Sequence, residues 1–313
     1  MKGQTTLQEK RLLQKPRAVW AVDIGGTKIA AARVSRSGKL SNFAEIQTPS
    51  AGGSKVVEAV VDLLAQSTAK NIGAIGVDVP GLAYPDGHVW APNIRGWEHM
   101  PLGAALKRRF RLPTLVESDR NAFVMGEAWQ GAARNCRDVV FLAIGTGIGA
   151  GILTDGRLLR GHGELAGAVG WMALRDRFRP IYRKIGCFEA HASGTGIGLA
   201  ASRHFGRKLS ARELTAMARQ GNRKARLLLE QAGHDLGLAL ANLVDVLNPE
   251  VIVVGGGVAA AGNLILGPAR ATMKRWGQPL AVRQVRVVRS QLGTRAGLLG
   301  AARLAFDYCD RLQ

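Results

Sequence analysis

The amino-acid sequence predicts an α/β protein built as two domains that share a cleft. Three observations lead there. The chain has 313 residues, more than a single hydrophobic core usually serves. A strand, a glycine turn and a returning strand near the N-terminus recur near mid-chain. Around them, short β-branched runs alternate with segments of helical periodicity.

In the first of these stretches an apolar run, Ala18 to Val22, delivers Asp23 into Ile24-Gly25-Gly26-Thr27-Lys28, and Ile29 to Val34 returns as a strand. Two glycines let backbone amides approach a phosphate closely, and Thr27 adds a hydroxyl donor. In the second, Val139 to Ile144 runs into Gly145-Thr146-Gly147-Ile148-Gly149-Ala150-Gly151. A lone glycine-rich turn after a strand is more often a plain hairpin. Two of them with Gly-Thr chemistry, and with Asp23 set where a metal-bound water would be held, point instead to hairpins facing one cleft and holding the two ends of a triphosphate.

The remaining elements follow in order. Residues 1–17 are polar and basic, closed by Pro16, and support no more than a frayed arm or one helical turn. Val56, Val57, Ala59, Val60, Leu63 and Leu64 recur at helical spacing. Ile72 to Val79 reads as a buried strand ending in Pro80-Gly81, and functional residues of open α/β sheets gather at such ends. The loop from Leu82 to Met100 has the length and polarity of a substrate loop. Leu115 to Ser118 forms a strand entering a helix over Ala122 to Gln130, with Asp119 between them. On position alone Asp119 suits a helix cap. The second domain is expected from residue 134 to residue 313, the first from 18 to 133. Asp155-Gly156 signals a tight hairpin, Val251–Val254 and Val285–Val288 read as buried strands, and helical patterns cover Gly194–His204, Leu227–Leu247 and Leu264–Arg275.

Composition narrows the function classes. A hydrophobic fraction of 47% is ordinary for a globular protein, and no apolar stretch reaches membrane-spanning length. Three cysteines form no paired framework, so a cytoplasmic location is expected. The formal charge of +20 raises nucleic acid, polyphosphate or an anionic surface as partners. The charges are spread along the chain without an arginine-aromatic binding motif, so nucleic acid is disfavoured against a basic solvated surface.

The motifs DIGGTK, GTGIGAG and Val251-Ile252-Val253-Val254-Gly255-Gly256-Gly257-Val258, at this spacing, resemble the two phosphate motifs and the adenosine segment of the ROK family of sugar kinases and repressors. The resemblance extends from about Val19 to the C-terminus. It implies two actin-like (ribonuclease H-like) domains with mixed central sheets around an interdomain cleft, a final helix (about 296–312) returning to the first domain, and a homodimer or homotetramer. About twenty residues before the first motif leave no room for the winged helix of the family's repressors, which favours a kinase.

The same resemblance assigns roles. Ser118-Asp119-Arg120-Asn121 aligns with the family's N-D-A-N, making Asp119 the catalytic base, with Ser118 replacing a sugar-contacting Asn. Asn93 of Asn93-Ile94-Arg95-Gly96-Trp97 is implied to contact sugar hydroxyls, with Gly81 at the adjoining strand end. Gly25, Gly26, Thr27, Lys28, Gly145, Thr146 and Gly147 are implied to hold ATP phosphates, Gly255, Gly256 and Gly257 to admit adenine and ribose, and Asp23 to order Mg²⁺ through water.

Departures cluster in Gly161 to Ser193. Where family members carry A-G-E-x-G-H and then C-x-C-G-x-x-G-C-x-E, this chain has Ala166-Gly167-Ala168-Val169-Gly170-Trp171 and Ile185-Gly186-Cys187-Phe188-Glu189. Ala168 replaces a sugar-binding Glu and Trp171 a His. One cysteine remains of three, so zinc is not expected and Cys187 reads as a small core residue. Glu189 matches a sugar-contacting Glu, and Glu164 is a candidate substitute for the lost one. Trp171 offers a flat face for stacking on a sugar or cyclitol ring. The arginines from Arg175 to Lys184 either face an anionic substrate or form a basic flap.

The expected function is therefore ATP-dependent phosphorylation of a hydroxyl on a sugar or polyol, with altered specificity. The alternatives are polyphosphate as donor and a sugar-sensing protein without turnover.

Overall fold

In the computed structural model, which describes residues 15–312, the chain divides into two compact units. The first runs to Arg134 and also takes in Gly161–Glu164 and the chain from Thr294 onward, while the second comprises Asn135–Arg160 and Leu165–Gly293. Of the N-terminal arm, residues 1–14 lie outside the described residues.

The first unit opens with three antiparallel strands, β1 (Ala18–Ile24), β2 (Lys28–Ser35) and β3 (Leu40–Gln47). Helix α1 (Gly53–Ala65) crosses over with Val56, Val60 and Leu64 buried, the i, i+4, i+8 stripe that its sequence carries. Strand β4 (Ile75–Val79) then pairs parallel to β1. The expected strand from Ile72 begins three residues later, at Ile75, although Gly73 N–H already donates to the Ala18 carbonyl of β1 at 3.0 Å. A two-stranded ribbon, β5 (Leu82–Ala83) with β6 (Val89–Trp90), gives the substrate loop structure of its own. Trp97 in that loop is fully buried, its indole N–H donating to the Gly53 carbonyl at 3.1 Å.

Helix α2 (Leu102–Phe110) leads to β7 (Thr114–Ser118), parallel to β4, and to α3 (Asp119–Gln130). That helix begins at Asp119 rather than at Ala122. Ser118 holds the cap position and makes no side-chain capping bond, so capping does not explain Asp119. The sheet order is β3-β2-β1-β4-β7.

The second unit repeats this plan. Strands β8 (Val139–Ile144), β9 (Ile148–Thr154) and β10 (Arg157–Leu158) are antiparallel, and Asp155 and Gly156, with φ of 51° and 73°, make the tight turn that their sequence signals. After short helices α4 (Tyr182–Ile185) and α5 (Cys187–Ala192) come α6 (Gly194–Phe205), α7 (Ala211–Arg219) and α8 (Arg223–Leu247). Ser193, Ser210 and Asn222 cap the last three, Ser210 in a capping box with Glu213. Strand β11 (Val251–Gly255), α9 (Asn263–Trp276), α10 (Ala281–Gln284) and β12 (Arg286–Arg289) complete the unit. Its sheet order is β10-β9-β8-β11-β12, the same succession of three antiparallel and two parallel strands. The expectation of a buried strand at Val285–Val288 is corrected: β12 is an edge strand, and its arginines lie exposed on the open side.

The C-terminal helix, Ala296–Arg311, packs on α3, β1 and β4 in the first unit. The packing is backbone to backbone. A Cβ at Gly300 would fall on the Ala122 carbonyl, and one at Gly126 on the Ala296 carbonyl. Gly300→Val is therefore expected to destabilise the protein by at least about 2 kcal/mol through overpacking, read as a lower urea midpoint.

Candidate active site

Parallel strands β1, β4 and β7 point their carboxyl ends in one direction, and each end carries an acid. Asp23 sits in register with Asp78 on β4, Asp78 with Glu117 on β7, and Asp119 begins the helix that follows. The C-terminal helix starts against the first pair: a Cβ at Gly297 would lie 2.9 Å from Asp23 Oδ2 and 3.0 Å from Asp78 Oδ2. Only glycine leaves that room. The first turn of that helix also presents its dipole-positive end to the acids.

Burial sets their protonation. Asp23 is pushed up to about 6, mainly by burial, with Asp78 and Lys28 pulling the other way. Asp78 is fully buried, and neither oxygen meets a donor. Burial first, then the charges of Asp23 and Asp119, holds it well above the usual carboxylate range. Asp119 is raised to about 6 by burial, opposed by the Arg120 amide, which donates to Oδ1 at 2.7 Å. Glu117 is buried as well, and its Oε1 accepts from the Ser118 amide and the Asn121 side chain at 2.9 Å each. It pins the turn that carries Asp119.

The first phosphate turn is closed by Gly25 N–H donating to the Lys28 carbonyl at 2.8 Å, which leaves Gly26, Thr27 and Lys28 exposed. The Lys28 ammonium pairs with Glu45 at 2.7 Å. Beside Asp23 is a cavity of about 240 Å³ lined by Lys28, Glu45, Thr294 and Arg295. Asn93 lies exposed beside this turn, its Cβ 3.9 Å from where a Gly26 Cβ would be. Gly81 is hemmed in by the carbonyl of Trp90, so no side chain fits there. Arg120 donates through Nη2 to the Glu164 carbonyl at 2.9 Å, which ties the Gly161–Glu164 segment to the Asp119 turn.

In the second unit, Gly145 N–H donates to the Gly147 carbonyl at 2.9 Å and Thr146 is exposed at the tip. Glu189, from α5, leans on this turn. Its Oε2 accepts from the Ile148 amide at 2.7 Å and stands 2.7 Å from where a Gly147 Cβ would be. Burial raises its pKa, and the Ile148 amide opposes that. Gly256, at φ 86°, packs on Ile144 and is exposed together with Gly257, while Gly255 packs on Phe141. Trp171 is 56% exposed, Ala168 is exposed, and Cys187 is buried. Arg175 does not turn to solvent: its guanidinium pairs with Asp235, which is 1% exposed.

Asp78, Glu117, Arg120 and Asp235 lie outside the sequence-based assignment of the site. Asp78 had a signal, an acid inside the apolar strand Ile75-Gly76-Val77-Asp78-Val79, one position from its end. Asp235 is one polar residue of a long amphipathic helix and had none.

Among the described residues, no group of three or more His, Cys, Asp and Glu side chains has the arrangement to hold a metal directly. Asp23, half-buried at the end of β1 and opening on the cavity beside it, nonetheless fits a hydrated divalent cation held through water. No described helix is long and apolar enough to cross a membrane.

Comparison with known proteins matches this arrangement to a class. Residues 19–307 match the model of the ROK family. The chain is 32% identical over 304 residues to a glucokinase of Thermotoga maritima, covering 90% of this chain and 95% of that one. A ROK hexokinase from Thermus thermophilus superposes with a TM-score of 0.83 at 32% identity, over 94% of this chain and 99% of the other. A ROK family glucokinase from Streptomyces griseus, solved in complex with glucose and AMPPNP, gives 0.76 at 30% identity, over 93% and 99%. The class is that of sugar kinases with the actin-like fold. The chain belongs to the ROK family.

The buried acids make stability depend on pH with a definite sign. Acids whose folded pKa lies above the unfolded value of 3.8 bind extra protons in the native state, so they favour folding increasingly as pH falls through about 6. The melting temperature is expected to rise between pH 8 and pH 5, and Asp78→Asn to flatten that rise, in a calorimetric series of both proteins.

Proposed function

We propose that this protein phosphorylates a hydroxyl of a hexose-like sugar or polyol, with Asp119 as general base and ATP as donor. The observation that carries the reading is Asp119 itself. It stands at the mouth of the sheet, at the positive end of α3, with a pKa of about 6, so it is ionised at neutral pH yet still basic enough to take a proton.

The step is a displacement. The sugar hydroxyl gives its proton to Asp119, its oxygen bonds to the terminal phosphorus, and the bond from that phosphorus to the bridging oxygen breaks, releasing ADP. Mg²⁺, when bound, would neutralise charge developing on the phosphate oxygens. Asp23 would hold that ion through water, with Asp78 beside it in register on β4. The amides of Gly25 and Gly26, the Thr27 hydroxyl, and in the second unit Gly145, Thr146 and Gly147 would hold phosphate oxygens, and Gly255–Gly257 would admit the nucleoside against bare backbone. Asn93 and Glu189 would orient the ring. Catalysis is then mostly positioning of a loose phosphoryl group.

This reading includes a specificity altered from that of relatives whose names state glucose. With Ala168 and Trp171 where the family carries Glu and His, hydrogen-bonding partners for two hydroxyls are gone and an indole face is offered instead. A site without those partners leaves the hydroxyls of such a sugar unpaired and binds it more weakly. The substrate favoured by this reading has an apolar or substituted edge where glucose carries free hydroxyls. The formal charge of +20 supports polyphosphate as a second donor, which strong salt inhibition of a polyphosphate-driven reaction would reveal.

Purified protein in a coupled assay with ATP and Mg²⁺, against hexoses, N-acetylated amino sugars, sugar acids and cyclitols, tests the reading. Turnover on one class is expected, and Asp119→Asn should lower kcat by about 10²- to 10⁴-fold. For the wild type, kcat/KM should fall as pH drops below about 6, where Asp119 takes up its proton. ATP binding without turnover on any class would sink the kinase reading and favour a sensor. Ala168→Glu combined with Trp171→His should raise kcat/KM for glucose by about tenfold or more, measured against the unmodified chain.

A further inference from the structure

The second unit contains a cavity of about 420 Å³ between α4, α5, α6 and α8, and none of its lining residues belongs to the phosphate turns or the adenosine segment. We propose that it binds a small organic anion, a carboxylate or phosphate carried on a compact apolar body.

The floor of the cavity is polar and already satisfied. Asp235, almost completely buried, pairs with Arg175, lies 3.6 Å from His191 Nδ1 and 3.7 Å from His234 Nδ1, and faces Gln231 Nε2 at 3.5 Å. Tyr182 Oη and His191 Nε2 are 2.7 Å apart. His191 joins the tyrosine hydroxyl on one side and the Asp235 carboxylate on the other. The floor thus neither demands a ligand of its own nor presents a bare negative charge that would expel an anion.

The rim carries the unspent charge. Arg179 and Arg203 line the cavity, both exposed, and neither has a carboxylate partner among the described residues. Arg203 uses only Nε, donating to the Leu199 carbonyl at 3.3 Å, which leaves the outer edge of its guanidinium for another acceptor. His191 feels both: burial first, then Arg175, Arg179 and Arg203, outweigh Asp235 and hold it below the usual histidine range, so the ring adds no positive charge of its own. Two guanidinium groups over one cavity are the geometry that captures a carboxylate or phosphate by paired N–H donors. Between rim and floor the wall is apolar, formed by Ile197, Leu199 and Leu228, and Leu199 is 45% exposed for want of a neighbour. A cavity of this volume with apolar walls and a few convergent polar groups has the make-up of a small-molecule site. An inorganic ion would leave the wall unused, and a neutral apolar molecule would leave the arginines unused.

Isothermal titration of the full chain at physiological salt, with benzoate, phenyl phosphate and benzyl alcohol as probes, tests the proposal without reference to kinase activity. Saturable binding of at least one of the two anions is expected, and which of them binds more tightly tells carboxylate from phosphate. Benzyl alcohol should give none. Arg179→Gln with Arg203→Gln should weaken the anion by at least about tenfold, and Leu199→Trp should abolish binding by filling the space while leaving both charges in place. Both changes are at exposed positions, so an unchanged melting temperature serves as the folding control. The idea is overturned if neither anion titrates, if the double substitution leaves affinity intact, or if saturating ADP displaces the anion, which would put it in the nucleotide site. It is equally overturned if sedimentation finds a dimer in which Leu199→Trp breaks association and no anion binds, since the cavity would then be a face between two copies.

Discussion

Three carboxylates brought together out of water are the constraint on which the first unit depends. Asp23, Asp78 and Asp119 come from segments roughly fifty and forty residues apart in sequence, and parallel pairing of β1, β4 and β7 brings them to one end of one sheet. Three buried negative charges would repel one another strongly. The structure meets this by raising their proton affinities, that of Asp78 well above the usual range, and by placing Gly297, in the first turn of the C-terminal helix, where no side chain intervenes. An arrangement that costs stability at neutral pH and persists is what a site for cationic or proton-transferring chemistry requires.

Glycine does two separate jobs in this chain. In the turns at Gly25-Gly26 and Gly145–Gly147 it keeps backbone amides accessible. Elsewhere it lets backbones touch: Gly300 against Ala122, Gly126 against Ala296, Gly233 and Gly237 of α8 against the carbonyls of Ile265 and Ala269 on α9. The second use explains those glycines that stand where helices pack on helices and on the sheet. Both sheets repeat one strand order, and in both the first hairpin supplies a Gly-Thr turn, so the two units apply one local solution twice.

How far the site was legible depended on whether its signal was local. Glycine turns, the Asp155-Gly156 hairpin and the apolar stripe of α1 are all decided within a few residues, and each has a matching pattern in the chain. Asp119 was legible through its motif, although its helix begins three residues earlier than periodicity suggests, because polar Asp119, Arg120 and Asn121 interrupt the apolar pattern while still adopting helical backbone. β12 was misjudged as buried, since Val287 and Val288 read alike at an edge or in the centre of a sheet.

By itself, then, the sequence determined the two glycine turns, the Asp155-Gly156 hairpin and the apolar stripe of α1, because these are properties of neighbouring residues, while the candidate base and the loss of the cysteine and Glu–His sets were implied by its resemblance to the family. Only the tertiary structure decided that Asp78 stands beside Asp23, that Arg175 is consumed by Asp235 instead of facing solvent, and that Arg179 and Arg203 overhang an open cavity. Those facts follow from strand register and helix packing between residues far apart in the chain. No window of local sequence contains them, because the burial and charge that define them come from partners supplied by the rest of the fold.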